Sequence, residues 1–206
     1  MNATAPDRGL TRNDVVALWF LLVVGAALVV MTTVFAVVRI VDAFTATTIR
    51  VPAEFTGTLA EAPVGPDGAA RAVELDSALL IADGMSVAGR SAIVIEQVLA
   101  VASIATLVGC LIALSVAAMR RRVFSRRNTV LVNVAGAAAL VGIGVVPFFG
   151  NMAANDAFRA VSDGTFSNVI MTADLSSLFL VGFVAATASV VFVIGDRLQR
   201  DTEGLV

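Results

Sequence analysis

A chain of 206 residues that is 58% hydrophobic and only 15% charged, with a mean hydropathy of +0.93, is too apolar for an ordinary soluble domain, where about a quarter of residues are charged. It has no His, no Lys and no Tyr, which removes imidazole triads, lysine Schiff bases, Walker-type phosphate loops and histidine metal sites. The lone Cys110 excludes an intramolecular disulfide and a cysteine metal cage, so no catalytic residue, metal or cofactor is expected.

Four stretches without Asp, Glu, Lys or Arg are long enough to cross about 30 Å of hydrocarbon: Val15–Val38, Val98–Met119, Thr129–Gly150 and Leu175–Gly195. Their β-branched content would favour strands in water, but in lipid every backbone polar group must pair within its own segment, which demands helices. A secretory signal at the first run is disfavoured, because such cores are usually about 7–15 residues long. A soluble helical bundle needs polar faces that these runs lack. The expected fold is an all-α membrane protein: a four-helix transmembrane bundle with a small extracytoplasmic antiparallel β cap between helices 1 and 2. The expected division is 1–14 N-terminal segment, 15–41 first span, 42–91 outer β segment, 92–119 second span, 120–128 arginine loop, 129–150 third span, 151–173 outer loop, 174–195 fourth span and 196–206 tail.

Arginine placement gives the orientation. The second and third spans are joined by RRRVFSRRN, which holds Arg120, Arg121, Arg122, Arg126 and Arg127. The positive-inside rule puts this loop in the cytoplasm, and with four spans both termini follow. The inner segments then carry nine Arg against five acids, and the remainder five Arg against eleven acids. The expected location is the plasma membrane.

The outer segment reads in period two. In RAVELDSALLIA, Val73, Leu75, Leu79 and Ile81 are expected on one side and Glu74 and Asp76 on the other. Ile49 and Val51 alternate in an earlier run, PVGPDG is a dense turn signal, and Asp83-Gly84 reads as a second hairpin turn before MSVA. These features predict two or three strands, leaning apolar side down on the outer helix ends. The segment's seven acids against three Arg favour cations or cationic partners; a solvated lid is the plainer reading.

Small residues recur every four positions in the second span: Ala105, Gly109, Ala113 and Ala117. That spacing lets helices approach closely, within one bundle or in a homo-oligomer. The third span adds Gly142, and Pro147 is expected to end or kink that helix. Glu96 and Asp174 are the ionisable residues at the span edges, placed to meet near the outer mouth of the bundle. As a pair they suggest a cation or proton site; singly, Asp174 suits a helix cap and Glu96 a structural hydrogen bond. Asn133, the amide well inside a span, reads as interhelical glue. Asn128 reads as a helix cap, and Cys110 as a small packing residue. The arginine loop suits the lipid bilayer's anionic headgroups or an acidic cytoplasmic regulatory protein. Direct nucleic-acid binding is not expected, since no structured domain presents the charges.

The C-terminus VFVIGDRLQRDTEGLV resembles the ending of bacterial four-span proteins grouped as domain-of-unknown-function family 2975, through Gly195, Leu198, Asp201, Glu203, Gly204, Leu205 and Val206. The loop VFSRRNTVLV is similar to the family's Phe-Ser/Thr-x-x-Asn segment at Phe124, Ser125 and Asn128. The family often has Gly and Pro before that Phe, where this chain has Arg122 and Val123. The resemblance implies little biochemistry, because the family has no established activity. Because members are often encoded beside small helix-turn-helix regulators, it implies a regulatory, sensing or scaffold role at the membrane. The alternative class is a small oligomeric channel or transporter using the outer carboxylates.

Overall fold

The longest apolar runs form the longest helices of the computed structural model, which describes residues 12–120, 123–166 and 174–203. In order along the chain come α1 (Arg12–Thr45), β1 (Thr48–Ala62), β2 (Arg71–Asp83), α2 (Val87–Met119), α3 (Arg126–Leu140), α4 (Val146–Val161) and α5 (Leu175–Glu203). A one-turn π-helical segment, Val141–Val145, joins α3 to α4. Among the described residues, four helical stretches are long and apolar enough to cross a membrane: Val15–Thr45, Val87–Met119, Arg126–Val161 and Leu175–Gln199.

The helices exceed the apolar runs at several ends. One such extension is beyond Gly150, where helix continues to Val161 instead of giving way to loop. Pro147 does not stop it. The preceding π turn changes the hydrogen-bond register just where the proline lacks its N–H, so helix resumes with Pro147 in its first turn. Residues 151–161 then put Ala153, Ala154, Ala157 and Phe158 on one buried stripe.

The chain divides into two compact units. One draws on Met1–Thr33, Val101–Leu140 and Ser176–Val206, the other on Val34–Ala100 and Val141–Leu175. In the first, helices meet where a side chain is missing. A Cβ built on Gly25 of α1 would lie 2.7 Å from Val108 of α2, and one on Gly136 of α3 would lie 2.7 Å from the Ala185 Cβ of α5. The predicted seam on Ala105, Gly109, Ala113 and Ala117 does not close at its glycine: nothing lies within 4 Å of a Cβ on Gly109. The partner helix needs a gap opposite its own bulk, and α1 supplies that gap at Gly25. Cys110 is buried, as a packing residue should be. Phe124 lies over α5, where a Cβ on Gly195 would overlap its ring and the Phe192 ring stands 5.6 Å away.

The second unit is built on a two-stranded antiparallel hairpin. Its tip is the predicted turn: a short 3-10 stretch at Pro66–Gly68, with Asp67 and Gly68 at φ 57° and 76°. The register runs from Thr48 opposite Asp83 to Ala62 opposite Arg71, and shifts between Glu54 and Thr58. Gly57 sits in that irregularity at φ 64°, where a Cβ would overlap the Glu74 carboxylate. Two expectations fail here. Leu79 and Ile81 are not on the covered face; they are 63% and 61% exposed, while Ala82 is buried and Leu80 packs against the core. The register explains it: Ala82, Leu80 and Ala78 lie opposite Ile49, Val51 and Ala53, and directly opposed residues share a face. Asp83-Gly84 is not a hairpin turn either. It leads into α2, whose first residue is Val87.

The core of this unit is Ala43, Ile49, Val51, Ala53, Ala82, Met85, Ala92, Ile93, Ala153, Ala154, Ala157 and Phe158. Small α4 side chains let the sheet lie close to the helix, and Phe158 fills the remaining space. A two-stranded ribbon is marginal alone; this one is held by its apolar face on α4.

Candidate functional site

Within the second unit a cavity of about 540 Å³ is lined by α1, both strands, α2 and α4. α1 contributes Arg39, β1 Glu54, β2 Ser77, α2 Glu96 and Gln97, and α4 Pro147, Gly150 and Asn151. Glycine in α4 lets Glu96 come close: a Cβ on Gly150 would lie 3.2 Å from its Oε1. Arg39 supplies the opposite charge that acts on Glu96. Its Nη1 donates to the Arg50 carbonyl of β1, and a guanidinium has more donors than that one bond uses. The cavity therefore presents a cation, carboxylates and neutral amides in a small space. Among the described residues no group of three or more His, Cys, Asp or Glu could hold a metal ion.

Of the two carboxylates expected to meet, only Glu96 lines this cavity. Asp174 lies directly before α5, at its N-terminal boundary, the position a capping residue takes. Arg39 and Asn151 were not among the sequence candidates. The signal for Arg39 was there: a cation inside a helix that runs seamlessly through RIVDAF.

A second polar network joins α4 to the start of α2. Ser86 caps α2 by accepting the Gly89 N–H at 3.1 Å on its Oγ. Asp156 of α4 accepts the Ser86 N–H at 2.8 Å and its O–H at 2.7 Å. A carboxylate at a helix N-terminus is electrostatically favoured.

In the first unit, Arg120 and Arg127 line another cavity, of about 770 Å³, with Ala113, Val116, Ala117, Ser125, Asn128 and Leu131. Arg126 is exposed and is not part of its lining. Arg121 and Arg122 lie outside the described residues. Asn128 does not cap α3. Ser125 does, accepting the Asn128 N–H at 3.3 Å, while the buried Asn128 side chain reaches back to donate to the Val123 carbonyl at 2.9 Å. Asn133 is exposed on α3, so it faces away from the packing of its own unit and is not glue there. No family model, curated protein or solved structure matches the chain.

Proposed function

We propose that this chain is a non-enzymatic, multi-pass plasma-membrane protein with a regulatory or sensing role. In this reading both ends and the arginine loop are cytoplasmic, and the hairpin and its cavity are outside. The membrane half is supported by uncovered bulk: Trp19, Phe20, Phe179 and Phe183 are 64–73% exposed, and water-soluble monomers do not leave such continuous apolar surface bare. The orientation follows from the arginine count. The resemblance to family 2975, through Phe124, Ser125, Asn128 and Gly195, belongs to the same proposal.

The sensing half is carried by one observation: Arg39, Glu96, Gln97 and Asn151, from three helices, line a single cavity beside the hairpin. A small ligand with separated positive and negative groups would satisfy Glu96 and Arg39 together. Occupancy would alter packing at α1 and α2, and these helices also contribute to the unit that holds the arginine loop and tail. A cytoplasmic regulatory protein meeting Arg120, Arg126 and Arg127 would receive the change.

The test is thermal unfolding of the detergent-solubilised full chain against a panel of free amino acids and polyamines. At least one is expected to raise the midpoint of wild type, with the gain reduced about tenfold in apparent affinity by Arg39→Gln or Glu96→Gln, as loss of one charge-assisted contact implies. A panel without effect, or equal gains in both variants, removes the cavity as the sensor. The channel or transporter reading is separated by flux into liposomes. A cation flux abolished by Glu96→Gln would replace sensing by transport.

A further inference from the structure

We infer that the cavity formed by Arg120, Arg127 and their neighbours binds the phosphodiester headgroup of an anionic phospholipid. Two arginines line it from different stretches of chain, one just past the end of α2 and one in the first turn of α3. No Asp or Glu lines it among the described residues. Two cations left together without an acid repel each other unless an anion joins them, and arginine's planar fork matches phosphate oxygens in pairs. Ser125 and Asn128 add neutral polar atoms to the same wall.

The rest of the lining decides the source of the phosphate. Val116 and Leu131 make the remaining surface apolar. Free phosphate gains nothing from such a wall, whereas the glycerol and first methylenes of a lipid do. Basic pockets between spanning helices on the cytoplasmic side suit anionic lipid. The composition also separates the arginines by role. Arg120 and Arg127 hold the headgroup, and Arg126, exposed outside the lining, contributes only general attraction.

The inference rests on the membrane reading, and the two fail differently. The experiment is native mass spectrometry of the full chain released from vesicles of phosphatidylcholine with one-fifth phosphatidylglycerol. Wild type is expected to retain phosphatidylglycerol in preference to phosphatidylcholine. Arg120→Gln with Arg127→Gln should lower that retention about tenfold, Arg126→Gln should leave it near wild type, and millimolar inorganic phosphate should not displace it. Since the three arginines are exposed, these variants should fold; unchanged thermal unfolding in detergent checks it. Equal retention by the double variant, an equal loss with Arg126→Gln, or displacement by inorganic phosphate would overturn the lipid site. A chain recovered from cells without detergent would overturn the membrane reading instead.

Discussion

Phe158→Ala should destabilise the chain by about 4 kcal/mol, in line with other buried Phe truncations. Phe158 is 5% exposed and belongs to the cluster of Ile49, Val51, Ala53, Ala82 and Ile93. Its ring meets Phe55 of β1 edge-on at 5.1 Å and lies 5.3 Å from Phe166. Truncation loses the ring's burial, opens a cavity between sheet and α4, and removes aromatic pairing worth about 0.5–1.5 kcal/mol beyond area. The surrounding alanines have no bulk with which to fill the space. The loss should be local at first: the hairpin leaves α4, and protease cuts at PVGPDG before the long helices unfold. Phe179→Ala, at a residue 73% exposed, should cost under about 1 kcal/mol. Thermal unfolding in detergent with limited proteolysis reads both. Equal small effects would mean that the hairpin does not depend on α4.

The second large effect lies at the start of α2. Asp156→Ala removes both acceptors of Ser86 and should cost about 2 kcal/mol, the range for hydrogen bonds to a charged group. Gly89→Leu should cost at least as much, because a Cβ at that position overlaps the Asp156 carboxylate. Since both substitutions break the same contact, their costs should not add. In the Asp156→Ala background, where only the Cβ at 2.7 Å remains to clash, Gly89→Leu is expected to add less than its single-variant cost. A double-mutant cycle on the unfolding midpoint measures this, and full additivity would mean that the carboxylate does not hold the cap.

The elements set by long-range composition were legible in the sequence. Charge-free runs of more than twenty residues leave no alternative to long apolar helices, and PVGPDG could only be a turn. What failed depended on partners. ALLIA places apolar side chains at consecutive positions, so Leu79 and Ile81 fit one phase of a strand as well as Leu80 and Ala82 fit the other. Only the register with Ile49, Val51 and Ala53 chooses. The helix beyond Gly150 was hidden by Pro147, although Ala153, Ala154, Ala157 and Phe158 already recur at helical spacing; the π turn that absorbs the proline has no clear signature. Within the chain, close approaches fall at Gly25 and Gly136 and not at Gly109 of the regular stripe, since close approach depends on what stands opposite. Glu96 was legible as an acid at a span edge. Its cavity was not, because Arg39, Ser77 and Asn151 come from distant parts of the chain. Asp156 was missed for the same reason: its partner Ser86 lies 70 residues away.

The most direct test of a four-span chain with its hairpin outside is cysteine labelling in intact cells with a membrane-impermeant maleimide. In a Cys110→Ala background, Val64→Cys reports on the hairpin tip, where Val64 is 68% exposed, and Arg126→Cys reports on the arginine turn. The account predicts labelling at position 64 in intact cells, and at position 126 only after permeabilisation. Labelling at position 126 in intact cells, with position 64 protected, would contradict it.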